Sequence, residues 1–106
     1  MGKALNHNAG KPRPSLVLRD MAEAFHEVVS VAEMGAQKYE RKNWAQSIAT
    51  NEATDWVNDS MDSIQRHLLA FEQNENRDDE SGYLHLAHVA CRAMMMCEYL
   101  LAEESQ

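Results

Sequence analysis

Proline, cysteine, glycine and basic charge are all scarce in this chain, and each shortage excludes something. Its 106 residues hold two prolines, two cysteines and four glycines. Both prolines, Pro12 and Pro14, fall in a polar N-terminal stretch with Gly2 and Gly10, so residues 1–14 are expected as an extended arm ahead of a single domain over residues 15–106. Cys91 and Cys97 stand six apart on one expected helix, a spacing that forms no local disulfide and matches no CxxC metal pair. They read as small core residues in a reducing compartment, and a cytoplasmic location is expected. With 17 acidic against 10 basic residues and a formal charge of -7, nonspecific binding to a nucleic-acid polymer or an anionic membrane is excluded. No basic start precedes a continuous apolar stretch, and the most apolar segment, residues 83–102, carries two His, an Arg and a Glu. Neither secretion nor a membrane span is expected.

Strict alternation of apolar and polar residues is also lacking, as are repeats and low-complexity tracts, so the fold class is all-α. A first helix is predicted from about Ser15 or Leu16 to Tyr39, with Met21, Phe25, Val28, Ala32 and Gly35 at helical spacing. Gly35 costs up to ~1 kcal/mol relative to Ala inside a helix, which predicts a close packing contact or a bend there. Residues 40–51 read as a polar connection carrying Trp44 and Ile48. A second helix begins around Thr50 to Thr54, since Val57, Met61, Ile64, Leu68 and Phe71 follow the helical template without a miss. After a charged loop over residues 72–80, Asp78 to Ser81 offer a capping oxygen and negative charge for a third helix, which runs to about Glu103. That helix is apolar on most sides except for His85, His88 and Arg92. A helix of this kind is buried, and two amphipathic partners within one subunit cannot cover it. Four-helix-bundle packing completed by a second copy, as a dimer or a dimer of dimers, is therefore expected.

The polar residues group into stripes. On the first helix Arg19, His26, Ser30, Glu33 and Gln37 share one side, with Glu33 at the border of the apolar face. On the second, Asp55, Asp59, Asp62 and Arg66 oppose the apolar seam, and neighbouring carboxylates there repel by a few tenths of a kcal/mol per pair. A hard divalent cation such as Mg2+ takes oxygen ligands of this kind together with substrate phosphates. His67 lies beside the seam. His85 and His88, at i and i+3, suit either a transition metal or, more in keeping with the absence of a third ligand at HExxH-type spacing, hydrogen bonds to a carboxylate or phosphate. Lys11, Arg13, Lys38, Arg41 and Lys42 are the mobile cations, and Tyr39 with Trp44 offers a surface for stacking a base. Solvated helix faces and structural histidines of a small, non-enzymatic interaction protein would account for each feature taken singly.

Taken together, Gly10-Lys11-Pro12-Arg13, the run Glu33 to Tyr39 followed by Asn43-Trp44, Asp62 with Arg66-His67-Leu68, and Asp78-x-Glu80-Ser81-Gly82-x-x-His85-Leu86-Ala87-His88 resemble the small phage-borne dATP/dGTP diphosphohydrolases, MazG-like proteins often called MazZ. The likeness runs in order from about Gly10 to Leu101. It implies a MazG-like helical bundle that hydrolyses a purine deoxynucleoside triphosphate to its monophosphate with Mg2+ or Mn2+. It further implies Glu33 and Asp62 as catalytic metal ligands, with Asp59 one turn away. Lys11, Arg13, Lys38 and Arg66 would hold phosphates, and Tyr39, Asn43 and Trp44 would shape the nucleoside pocket. His85 and His88 would form a hydrogen-bonding wall beneath the metal, and His67, with them, would belong to the substrate-binding residues. The chain departs from that pattern at Ser30-x-x-Glu33 and Asp59-x-x-Asp62, where the wider superfamily has Glu-x-x-Glu and Glu-x-x-Asp, and Glu27 is the carboxylate that would compensate. Ser15 replaces a customary Asp, and Glu40 a customary Gly.

Overall fold

The computed structural model describes residues 9–42, 44–45 and 53–105. The first eight residues of the expected arm, Asn43 and residues 46–52 of the connection lie outside the described residues. The chain is all-α: α1 (Ser15–Leu18), α2 (Ala22–Tyr39), α3 (Ala53–Glu72) and α4 (His85–Glu104). Among the described residues the only β-type pairing is an isolated antiparallel bridge between Arg77 and Leu84. No helix among them is long and apolar enough to cross a membrane.

Three boundaries differ from expectation. The first helix is broken in two: the N–H groups of Arg19 and Asp20 both reach back to Ser15 O, at 3.1 and 3.0 Å, and Met21 then leaves the helical region at φ -123°, ψ 40°. The Asp20 bond spans one residue more than the α-helical pattern, so the last turn of α1 widens and the helix ends before α2 begins. Gly35 makes no tight packing contact: α2 continues through it, and a Cβ built there meets nothing within 4 Å. The Asp78 to Ser81 run does not cap α4. Asp78 Oδ2 instead accepts the Ser81 N–H at 2.8 Å within its own turn, and Gly82 closes that turn at φ +80°, a left-handed conformation that costs glycine nothing. The helix begins only at His85.

The interior of the chain is thin. Only Val31, Trp56 and Ala87 are buried apolar residues among those described, joined by the polar Ser60 and His85. On α3 the inward line is Trp56, Ser60, Ser63 and His67, which at about 100° per residue lies roughly a quarter-turn from the Val57, Met61, Ile64, Leu68 seam. Trp56 anchors that line by stacking on Trp44, with centroids 5.9 Å apart, and by meeting Tyr99 of α4 edge-on at 5.8 Å. Met61, Leu68 and Phe71 stay exposed, as do Met21 just before α2, Phe25 and Val29 on α2, and Met94, Leu100 and Leu101 on α4. A monomer rarely leaves so much contiguous apolar surface to water.

Candidate functional site

Between α2, the residues that follow it, and α3 and α4 lies a cleft of about 1090 Å3, large enough for a nucleotide-sized ligand. Glu33 reaches it from α2, and Asp55 and Asp59 reach it from α3, one helical turn apart. All three are exposed to solvent within it. Lys38, Arg41, Lys42 and Arg92 add positive charge along the same walls, and Tyr39 and Trp44 add aromatic faces. Lys38 Nζ lies 5.2 Å from the centre of the Tyr39 ring, close enough for a cation–π attraction. Anionic and cationic groups therefore line one cleft. The first suits hard divalent cations and the second suits phosphate oxygens.

A second cavity of about 730 Å3 adjoins it and shares Met34, Lys38, His67, His88 and Arg92 with the first. Its floor is a histidine cluster. The rings of His67 and His88 stack at 4.4 Å with only 6° between their planes, and His67 Nδ1 faces His85 Nδ1 at 2.8 Å. His88 Nε2 meets Ser81 Oγ at 2.7 Å, and His85 Nε2 lies 3.2 Å from Glu75 Oε1. Burial holds both His67 and His88 below the ordinary imidazole range. Repulsion from His88 and His85 adds to this at His67, and at His88 the pull of Asp78 works against it. For Asp78 burial pushes the carboxyl up, but the Ser81 hydrogen bonds and the neighbouring histidines outweigh it and bring it below its usual value. Burial alone pushes the Cys91 thiol up against the Arg92 charge, so Cys91 is an unreactive wall residue.

The sequence-predicted site residues divide accordingly. Glu33, Asp59, Lys38, Tyr39, Trp44, His67 and His88 share the large cleft, and Arg66 and His85 line the adjoining cavity. Asp62 is exposed on α3 and lines neither cavity, and Lys11 and Arg13 sit exposed ahead of α1. Asn43 lies outside the described residues. Glu27 lines neither cavity: its Oε2 accepts the Leu84 backbone N–H at 3.0 Å and Arg77 Nη1 at 3.3 Å. Asp55 was legible as part of the α3 stripe but not as a member of the cleft. Asp78 and Glu75 carried no periodic signal, because they come from the irregular segment between α3 and α4.

Residues 1–106 match the family described as dATP/dGTP diphosphohydrolase, N-terminal. A dATP/dGTP diphosphohydrolase of Salmonella phage PMBT28 is 36% identical over 70 residues, which is 66% of this chain but 21% of that protein. The chain thus spans about a fifth of the length of that curated relative. No solved structure matches it. A match along every residue of the chain, with the motif residues Glu33, Lys38, Tyr39, Trp44, His67 and His88 gathered around one cleft, carries the conclusion that this chain belongs to the dATP/dGTP diphosphohydrolase N-terminal family.

Proposed function

We propose that this domain hydrolyses purine deoxynucleoside triphosphates, dGTP or dATP, to the monophosphate and diphosphate, with Mg2+ or Mn2+ as cofactor. The observation that carries the reading is that Glu33, Asp55 and Asp59 line the same cleft as the cationic Lys38, Arg41, Lys42 and Arg92 and the aromatic Tyr39 and Trp44. The donor type suits the cation, which would have to draw the three side chains together, since their ligand atoms do not all lie within 4.8 Å of one another in the structure. Three exposed carboxylates from two helices are hard oxygen ligands, which suits Mg2+ or Mn2+ and leaves room for phosphate oxygens and water. Such an ion, when bound, neutralises the triphosphate and lowers the pKa of a bound water.

The chain's own groups divide the remaining work. Glu33 and Asp59 hold the cation, with Asp55 in the position that Asp62 was expected to fill, and Asp62 is retained as a ligand only if assembly turns it inward. Lys38 and Arg92 within the cleft, with Arg66 at its edge, offset the charge that builds on the departing diphosphate, and groups aimed at developing charge favour the transition state over the ground state. Trp44, fixed by its stack on Trp56, offers a rigid face for the base, and Tyr39 flanks it. A second copy covers the exposed apolar faces of α2, α3 and α4, giving a homodimer or homotetramer. With both cysteines free, we place the reaction in the cytoplasm.

Incubation of the chain with each of the four dNTPs plus Mg2+ or Mn2+, with phosphorus-containing products resolved by chromatography, tests this. Equal release of dGMP or dAMP and diphosphate is expected, and it should fall at least 100-fold in Glu33→Gln and in Asp59→Asn. Folded protein that releases no monophosphate from any dNTP would overturn the reading.

A further inference from the structure

The corner between α3, α4 and the segment joining them holds a set of ligand atoms separate from the carboxylates of the nucleotide cleft. One nitrogen of His67, one carboxylate oxygen of Asp78 and one nitrogen of His85 all lie within 4.8 Å of one another. They come from α3, the connecting segment and the first residue of α4, so the fold and not local sequence spacing creates the group.

The hydrogen bonds fix what each atom presents. His85 is 3% exposed, and its Nε2 faces Glu75 Oε1 at 3.2 Å. An ionised carboxylate only accepts, so Nε2 carries the hydrogen and neutral His85 keeps its lone pair on Nδ1. That lone pair is aimed at His67 Nδ1, 2.8 Å away. A histidine whose remote N–H is held by a carboxylate is the arrangement that orients imidazole toward a metal. The other two donors are also held in place: His67 by its stack on the His88 ring, and Asp78 by the Ser81 N–H on one of its two oxygens.

We propose that His67, His85 and Asp78 form a second metal site, taking a borderline transition cation of the Zn2+ class through two imidazole nitrogens and one carboxylate oxygen. A fourth position faces the smaller cavity that all three residues line. Imidazole pairs select Zn2+ and Co2+ over Mg2+, which prefers oxygen and sheds water reluctantly. Two ligands at Zn–N bonds of about 2.0–2.1 Å in a tetrahedron stand about 3.3 Å apart, so binding opens the His67–His85 pair by about half an ångström. Without the cation, His67 Nδ1–H donates to His85; with it, neutral His67 carries its hydrogen on Nε2 and offers the Nδ1 lone pair, with no net loss of a proton. The site clamps the segment between α3 and α4 to both helices, whether or not the cleft hydrolyses nucleotides.

Titration of the chelator-treated full chain with Co2+ and then Zn2+ tests it. Expected are visible d–d bands of tetrahedral strength that saturate at one Co2+ per chain, bleaching by Zn2+, and a higher melting temperature with Zn2+ than with Mg2+. His67→Gln and Asp78→Asn, at part-exposed positions, should each weaken Co2+ binding at least tenfold. Glu75→Gln, which touches no metal, should weaken it about 10- to 100-fold. Glu33→Gln should leave the bands unchanged, which separates this site from the nucleotide cleft. Only weak octahedral Co2+ absorption in the wild type, or full-strength bands in His67→Gln, would overturn the proposal.

Discussion

The Glu27 carboxylate on α2 caps α4 from a distance: it accepts the N–H of Leu84, 57 residues further along the chain, at 3.0 Å. Leu84 is the residue immediately before the helix and has no side-chain cap of its own. A carboxylate there satisfies an orphan donor and complements the positive end of the helix. Replacing such a cap costs about 1–2 kcal/mol, so Glu27→Ala should lower the unfolding free energy obtained from a urea titration by that amount. Glu27→Gln, which keeps an acceptor, should lower it less. A Glu27→Gln variant with wild-type stability and greatly weakened Mg2+ dependence would instead make Glu27 a metal ligand.

Acid sensitivity follows from the histidine cluster. His67 faces His85, His88, Asp78 and Arg66, and His88 faces Asp78, His85, Arg92 and Glu27. Both imidazoles titrate below the ordinary 6.5 in the folded chain, so the unfolded chain takes up protons first as pH falls. Their contribution to stability is complete above about pH 6.5 and is lost as pH drops through the lower folded values. Asp78, lowered from 3.8, adds a further loss in stronger acid. In chelator-treated protein, melting temperature should be level above neutrality and decline below it. His88→Gln should shallow that decline, and an unchanged slope would count against the assignment.

Glu40 holds the end of α2 at φ 76°, ψ 158°, a region that only glycine occupies without penalty. Such strain costs on the order of 1–3 kcal/mol, part of which the greater freedom of glycine in the unfolded chain offsets. Glu40→Gly is therefore expected to raise stability by about 1 kcal/mol in a denaturant titration. A loss of stability would show that the Glu40 side chain contributes more than its backbone costs.

The seam of α3 gives a third kind of test. Leu68 is 37% and Met61 39% exposed in one subunit, although both belong to the most regular apolar period in the chain. Leu68→Glu should shift the species seen by sedimentation velocity toward the monomer and leave helix content little changed in the surviving fraction. Retention of one monomeric mass across all concentrations by the wild type would refute association through this face.

Periodicity made the helices legible because it depends only on local spacing. The Val57 to Phe71 pattern predicted α3 through its end at Glu72. The same pattern misdirected the interior, since it marks which face is apolar and not which neighbour covers it. Within a subunit, α3 turns Trp56 and Ser60 inward, not Met61 and Leu68. Of the expected carboxylates, Glu33 and Asp59 share the cleft, and Asp62, on the same stripe, does not. A tolerance of one stripe width in the sequence spans the difference between facing a cavity and facing water. The roles of Asp78 and Glu75 were illegible because irregular backbone has no period to read. They became visible only when the segment after α3 was seen folded against His67 and His85.

The cap that joins Glu27 to Leu84 also implies an order in time. The hairpin of α3 and α4 closes through a short connecting segment, pinned by Asp78 N to Tyr83 O at 2.8 Å and His85 N to Asn76 O at 2.9 Å. Contacts of low sequence separation form early. The docking of α2 must wait for them, because the amide that receives its carboxylate has no fixed position until the hairpin has turned. During refolding, amide protection should therefore appear in residues 56–100 before it appears in residues 22–39.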